Sequence, residues 1–131
     1  MSFYEILLKA HSGWAYLTIL AGVFSLIVVG FYTINKRVKD VFVKKLLFFT
    51  VLIFHIQLVS GAILYFKSPK VGVDAYFTYE HPVVMFLSVL LITFASSIIK
   101  KSETVKISSF VLILVAMVIL LARIPWEVWS K

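Results

Sequence analysis

Residues 10–35 read AHSGWAYLTILAGVFSLIVVGFYTIN, a run of 26 uncharged residues between Lys9 and Lys36. A transmembrane α-helix needs about 20 apolar residues to cross roughly 30 Å of hydrocarbon. A charged side chain at the bilayer centre costs about 2.5–3.5 kcal/mol, so the intervals between charged residues mark the candidate spans. This stretch therefore predicts a membrane-spanning helix.

Three further intervals have the same character. Residues 46–66 and 81–99 hold 21 and 19 uncharged residues, and residues 107–122 hold 16. We expect the last helix to continue past Arg123, because that long side chain can reach the interface. Short connections make consecutive helices antiparallel neighbours. The sequence thus predicts an all-α, integral membrane, up-down-up-down four-helix bundle. It forms a single domain over residues 1–131, with spans at 10–35, 46–66, 81–99 and 107–125.

The composition agrees with a membrane protein. Apolar residues make up 62% of the chain and charged residues 15%, against roughly 45–50% and about 25% in average globular domains. An ordinary soluble enzyme is therefore excluded. The chain has no cysteine, which excludes disulfides, thiolate catalysis and thiolate-ligated metal centres. Any redox role falls on the three histidines.

The formal net charge of +7 follows from the distribution of basic residues. Cytoplasmic loops of membrane proteins carry an excess of Lys and Arg. Eight of the thirteen basic residues lie at the first and third connections: Lys36, Arg37, Lys39, Lys44, Lys45, Lys100, Lys101 and Lys106. We therefore expect these loops in the cytoplasm and both termini outside. Membrane topology explains the charge, so no nucleic-acid partner is expected.

Polar residues inside the spans are the functional candidates, since lipid-facing positions need only be apolar. On the first helix, His11, Thr18, Gly22 and Ser25 recur at spacings that place them along one stripe. Small residues let helix backbones approach closely, so we interpret Thr18, Gly22 and Ser25 as a packing seam. His11 is too large for such a seam. Its imidazole is a metal-ligand candidate, although a histidine hydrogen-bonded at the interface is the alternative.

The second helix carries polar residues on two faces. His55 and Gln57 are two residues apart, hence about 160° apart around the axis. Gln57 shares its face with Thr50 and Gly61. Because an unpartnered polar group in hydrocarbon costs several kcal/mol, both faces should contact protein or a bound group. This helix is therefore predicted to lie between two neighbours, or against a second subunit.

Two further polar features lie near helix ends. In the Glu80-His81-Pro82 sequence, proline favours the first helical turn, which places His81 at or next to the helix cap. Arg123 lies at the end of the fourth span, where its guanidinium suits a carboxylate or a phosphate.

Depth along the helices groups most of these residues. His11, Gly61, His81 and Arg123 all lie toward the outer ends of their spans, whereas His55 lies roughly 16 Å from the end of its span. Two histidines from different helices, a glycine that leaves room and a cation are the components of a b-type haem site. We predict His11 and His81 as the ligands. We expect Arg123 to lie near the haem propionates, and His55 is a third candidate ligand.

The order of several short motifs adds a resemblance. These are HSGWAY at 11–16, QLVSG at 57–61, LYF at 64–66, EHP at 80–82 and IPW at 124–126. With this set, the chain resembles a group of small bacterial four-helix membrane proteins labelled "cytochrome B". The resemblance implies a bacterial inner (cytoplasmic) membrane protein that binds haem b, with His11 and His81 carried over as ligands.

The leading functional hypothesis is therefore an electron-transfer protein with one haem near the outer face. A quinone lying against the second helix is its candidate electron partner. The alternative is a haem-free accessory subunit of a larger inner-membrane protein complex. A third hypothesis is an enzyme that acts through the haem, such as a porphyrinogen oxidase. No acid–base pair in the sequence supports an enzyme, so no catalytic residue is assigned.

Overall fold

The computed structural model describes residues 2–125, so Trp126 of the last motif lies outside the described residues. The helices are α1 (Phe3–Ile34), α2 (Val41–Lys67), α3 (His81–Lys101) and α4 (Ile107–Ala122). Each helix packs against the next one along the chain, and α4 packs against α1, which closes the ring. The all-α four-helix bundle predicted from the sequence is confirmed.

Length and composition make three helical segments candidates for crossing a membrane. They are Phe3–Ile34 with 32 residues, Val41–Lys67 with 27 and Tyr76–Lys101 with 26. The last one joins a short turn to α3 without a break in the helical backbone. Large apolar side chains cover the outside of the bundle, so the helices suit a lipid bilayer and the protein is a multi-pass membrane protein.

The first two helices begin earlier than the intervals between charges predict. The Ser2 hydroxyl accepts the amide N–H of Glu5 at 3.2 Å, so α1 starts at Phe3. The Asp40 carboxylate accepts the amide N–H of Val43 at 3.0 Å and caps α2. Such caps satisfy amides that lack a partner in the first helical turn. Charged residues therefore lie inside the ends of these helices.

The fourth helix is shorter than predicted. It ends at Ala122 rather than past Arg123, and its 16 residues span about 24 Å at 1.5 Å per residue. Arg123 is the C-cap, and its amide donates to the carbonyl of Leu120 at 3.2 Å. Pro125 supplies the physical reason, since proline disfavours the helical conformation at the preceding residue and has no N–H to donate.

The packing seam on α1 is confirmed. Thr18, Gly22 and Ser25 are all buried. A Cβ added to Gly22 would lie 2.3 Å from the sulfur of Met117 on α4. The hydroxyls of Ser25 and Thr50 lie 2.7 Å apart, which joins α1 to α2. The absence of a side chain at Gly22 thus permits the close contact between α1 and α4.

The two basic connections, residues 35–40 and 102–106, contact each other at what we call the basic-loop end. Val38 and Thr104 form an antiparallel bridge, and the amide of Lys39 donates to the carbonyl of Glu103 at 3.0 Å. The Lys39 ammonium also donates to the carbonyl of Lys100. These backbone pairings join the two loops, and the sequence pattern did not indicate them.

Tyr32 and Asp40 connect the first of these loops to the bundle. The Tyr32 hydroxyl donates to the Asp40 carboxylate at 2.7 Å, and the Arg37 guanidinium lies 4.7 Å from the centre of the Tyr32 ring. Hydrogen bonds from the amide of Val43 and from the Tyr32 hydroxyl lower the pKa of Asp40. The ionised carboxylate therefore serves both as a helix cap and as a partner for tyrosine.

The contact at Gly22 predicts the effect of a larger side chain. We expect Gly22→Leu to lower the free energy of unfolding by about 1–3 kcal/mol, because the new side chain overlaps Met117 in a closely packed core. Gly13→Leu is the matched control, since no atom lies within 4 Å of a Cβ added there. Reversible unfolding in mixed micelles measures both variants. Equal losses for the two would contradict the packing role of Gly22.

Candidate functional site

His11 is held against one turn of α2. Its Nδ1 lies 2.7 Å from the Ser60 hydroxyl oxygen, and its Cε1 would be 3.1 Å from a Cβ added to Gly61. The side-chain amide of Gln57 donates to the backbone carbonyl of His11 at 2.9 Å. The face of α2 that carries Gln57 and Gly61 therefore contacts α1, and the half-buried imidazole fills the space that Gly61 leaves.

The hydrogen bonds of Ser60 determine the tautomer of His11. The Ser60 hydroxyl donates its single proton to the carbonyl of Gln57 at 3.0 Å. Its oxygen must therefore accept from His11, so Nδ1 carries the imidazole proton. In neutral His11 the lone pair is then on Nε2, the nitrogen that faces away from Ser60. A fixed Nδ1–H hydrogen bond is the usual outer-shell support of a metal-ligating histidine.

His81 is the first residue of α3 and directly follows the N-cap residue Glu80, as predicted, but the helical backbone does not begin there. Asp74 accepts the amide N–H of Tyr76 at 2.9 Å, and residues Tyr76–Glu80 form a π-helical turn that leads directly into α3. His81 therefore follows a full turn of helix, and its ring is half-buried rather than at a free helix end.

Pro82 explains the π-helical turn. Proline has no amide N–H, and in a regular α-helix its ring clashes with the carbonyl four residues earlier, here that of Thr78. A π-helical turn widens the backbone at this point. The Tyr65 hydroxyl, from α2, donates to the Thr78 carbonyl at 3.2 Å. A side chain from a neighbouring helix thus replaces the hydrogen bond that Pro82 cannot make.

Aromatic rings and the end of α4 surround His81. Its ring centre lies 5.7 Å from that of Tyr76 and 6.1 Å from that of Phe77. The Tyr76 hydroxyl donates to the backbone carbonyl of Arg123, so its oxygen accepts in the 3.4 Å contact with His81 Nδ1. This network ties the start of the third span to the end of the fourth.

Two cations lie near His81. The Arg123 side chain is exposed, and it is the carbonyl of this residue that bonds to Tyr76. The Lys70 ammonium lies 4.7 Å from the centre of the Phe77 ring. The guanidinium of Arg123 is therefore available to an anionic group at this end.

The structure brings His11 and His81 to the same end of the bundle, from helices α1 and α3. His11 contacts Ser60 of α2, and five residues further along α2 Tyr65 contacts Thr78, three residues before His81. Gly61 contacts His11, and Arg123 contacts the network of His81. We call this the histidine end, defined by these four residues. It lies opposite the basic-loop end.

His55 is not part of the histidine end. It is exposed on the opposite face of α2, toward α3, where its Nδ1 lies 2.7 Å from the carbonyl of Val51. It lines a separate groove that reaches Lys100. The prediction that α2 lies between two neighbours is confirmed, because α2 packs against both α1 and α3.

The donor set limits what the histidine end could hold. Within residues 2–125, no group of three or more His, Cys, Asp or Glu side chains could hold a metal ion. In this part of the chain, a bare metal ion would therefore find at most two such side chains together. A metal already held by a macrocycle needs only two axial ligands, and a pair of imidazoles can supply them.

Comparison with protein-family models, curated proteins and solved structures finds no match to this chain. The class of protein follows from the fold alone, as an all-α, multi-pass membrane bundle. The function is therefore argued from the residues at the histidine end.

Sequence reasoning assigned no role in positioning the histidines to three residues that have one. Ser60 bonds to His11, Tyr76 bonds at the His81 ring, and Tyr65 supports the turn that precedes His81. Ser60 could have been found, because it lies next to Gly61 and close to the face of Gln57. The charge pattern predicts that Tyr76 lies in a loop. Only the π-helical turn brings it next to the ring of His81.

The contact between Tyr65 and Thr78 predicts a thermodynamic coupling. We expect Tyr65→Phe to lower the free energy of unfolding by about 1 kcal/mol, because the carbonyl of Thr78 loses its donor. In a Pro82→Ala background, the restored amide at position 82 can donate to this carbonyl. The loss should then be less than half as large. A double-mutant cycle measures this coupling, and equal losses in the two backgrounds would contradict the assignment.

Proposed function

We propose that the protein is a membrane electron-transfer protein that holds one b-type haem at the histidine end, with His11 and His81 as axial ligands. The observation that carries the proposal is the pair of half-buried imidazoles, brought to one end of the bundle by two different helices. A bound haem supplies one-electron exchange between ferric and ferrous iron. The protein's contribution is to hold, orient and partly bury the two ligands.

The hydrogen bonds of the two histidines support this role. Ser60 accepts from Nδ1 of His11 and leaves the lone pair on Nε2. Tyr76 accepts from Nδ1 of His81, which leaves Nε2 of that ring in the same state. Because each ring is fixed by a partner on its Nδ1 side, both present the nitrogen that commonly binds iron or zinc.

The charge distribution supports the same assignment. Arg123 is exposed beside His81, and Lys70 lies over the ring of Phe77 in the same region. A guanidinium binds a carboxylate in bidentate fashion, so Arg123 would pair with a haem propionate. This would place the carboxylates at the membrane surface and the apolar macrocycle between the helices.

A haem-free accessory subunit remains the second candidate, and one observation favours it. The ring of His11 already fills the space beside Gly61, at 3.1 Å from a Cβ added there. Packing at that point is thus complete without a ligand. Under this alternative, His11–Ser60 is a structural hydrogen bond between α1 and α2, and the protein co-purifies with a partner and without pigment.

Absorption spectra test the haem proposal. We expect the purified protein, expressed with added haem precursor, to show reducible Soret and α bands. His11→Ala and His81→Ala should each lower haem content at least tenfold, because each removes an axial ligand. Ser60→Ala should weaken haem affinity about tenfold, the lower range for loss of an outer-shell partner.

His55→Ala is the matched histidine control and should keep the haem, because its ring lies in a different groove. Circular dichroism confirms that each variant is folded. Absence of pigment in the wild type, or unchanged spectra in both ligand variants, would overturn the proposal.

We also propose that the protein lies in the bacterial inner membrane with the basic-loop end in the cytoplasm and both termini outside. The support is the concentration of eight basic residues at that end, under the rule that positive loops stay inside. The contacts between residues 35–40 and 102–106 support this orientation, because they bring both groups of basic residues to one end of the bundle.

Single cysteines test this orientation cleanly, because the chain has none of its own. In intact spheroplasts, a membrane-impermeant maleimide should label Val73→Cys, whose side chain is 87% exposed. Glu103→Cys, exposed at the basic-loop end, should be labelled only after permeabilisation. The reverse pattern would show that the orientation is wrong.

A further inference from the structure

An open groove of about 480 Å³ lies between α2 and α3, away from the histidine end. It runs from the middle of α2 toward the basic-loop end. Its lining includes Phe48, Leu52, His55, Ser96, Ser97 and Lys100. Ligand pockets commonly have volumes of about 300–1,000 Å³, with an apolar lining and a few polar groups. The size and lining of this groove fall in that class.

Two hydroxyls in this groove have no partner. Ser96 is only 5% exposed, yet neither it nor Ser97 makes a side-chain hydrogen bond within the part of the chain that the structure describes. Thr93, in the same groove, differs, because its hydroxyl donates to the carbonyl of Val89 at 2.7 Å. Ser96 and Ser97 are therefore free to bond to a molecule in the groove.

His55 offers the groove a hydrogen-bond acceptor. Its Nδ1 lies 2.7 Å from the carbonyl of Val51. A carbonyl can only accept, so Nδ1 carries the proton and the lone pair of the neutral ring is on Nε2. His55 lies roughly 20 Å along the axis from each end of α2. The lone pair is thus near the middle of the membrane, where lipid tails have nothing to donate to it.

These groups define the ligand by its chemistry. The ligand must donate a hydrogen bond from an O–H group to His55 and accept a hydrogen bond from a serine hydroxyl. It must also fit a flat group beside Phe48 and extend an apolar tail through the open side of the groove. A phospholipid does not meet these conditions, because its polar groups stay near the membrane surface and its tails have no donor. A hydroquinone ring has two hydroxyls on opposite sides and meets all of them.

We propose that this groove binds a lipid-soluble quinol. One ring hydroxyl donates to Nε2 of His55, and the oxygen of the opposite hydroxyl accepts from Ser96 or Ser97. The oxidised quinone has carbonyls in place of hydroxyls and cannot donate to His55, so the groove should prefer the reduced form. The binding of quinol in this groove does not depend on the proposed function.

Thermal unfolding of the full-length protein in detergent, with decylubiquinol or decylubiquinone as the probe, tests the proposal. A ligand that binds only the folded state raises Tm with its concentration. We expect the quinol to bind at least fivefold more tightly than the quinone. His55→Leu and the double variant Ser96→Ala/Ser97→Ala should each weaken quinol binding at least fivefold. Ser108→Ala, at an exposed serine on α4, is the control and should bind as the wild type does.

Equal affinity for the two probes, or unchanged quinol binding by His55→Leu, would overturn the proposal. The ¹⁵N resonance of Nε2 of His55 provides a second readout on the wild-type protein, independent of whether a variant folds. It should shift on addition of quinol and not of quinone. Absence of a shift with quinol would also refute the proposal.

Two other occupants would give different results. Stabilisation by phosphatidylglycerol that depends on Lys100, without an effect of quinol, would make the groove a phospholipid site. Disulfide dimers formed by Leu52→Cys in the membrane, again without quinol binding, would make it an interface between copies. Either result overturns the proposal.

A haem-free variant separates this proposal from the proposed function. His11→Ala should lose haem and still bind quinol, because His11 lies outside the groove. A wild-type preparation that binds quinol but contains no haem would refute the proposed haem site and support quinol binding in the groove. A wild-type protein that binds haem but not quinol would refute only the proposal of quinol binding in the groove.

Discussion

Hydrocarbon supplies no hydrogen-bond partners, and the placement of nearly every polar side chain discussed above follows from that constraint. Ser25 bonds to Thr50, His11 to Ser60, and the hydroxyl of Tyr65 to the carbonyl that Pro82 leaves without a donor. Each pair joins two elements that are distant in the sequence. The polar groups therefore determine how the helices are rotated against one another, which apolar packing alone specifies poorly.

The same constraint explains what could be predicted from the sequence. The intervals between charges locate the spans because the cost of burying a charge in lipid is large and independent of the fold. They misplace the helix ends, because a helix continues into the interface until a cap or a proline ends it. Ser2 and Asp40 extend α1 and α2 in this way, and Pro125 follows the early end of α4 at Ala122.

The sequence predicts how far along its helix each candidate residue lies, but not which neighbouring helix that residue faces. Counting residues along the spans places His11, Gly61, His81 and Arg123 at one end, and the structure agrees. Which side of a helix faces which neighbour depends on the order of helices in the ring, and an apolar sequence with polar residues on both faces does not determine it. The roles of Ser60 and Tyr76 depend on that rotation, so they emerge only from the structure.

The position of α2 between α1 and α3 gives the bundle two distinct polar sites. Since His55 and Gln57 are about 160° apart, one face of α2 holds the histidine on α1 while the other opens toward α3. His55 and Gly61 are six residues apart along this helix, or about 9 Å. A rotation of α2 would separate Ser60 and Gln57 from His11 and would also turn His55 relative to α3. The polar residues that join α2 to α1 therefore also determine where His55 faces, and the histidine end and the groove are structurally coupled through this helix.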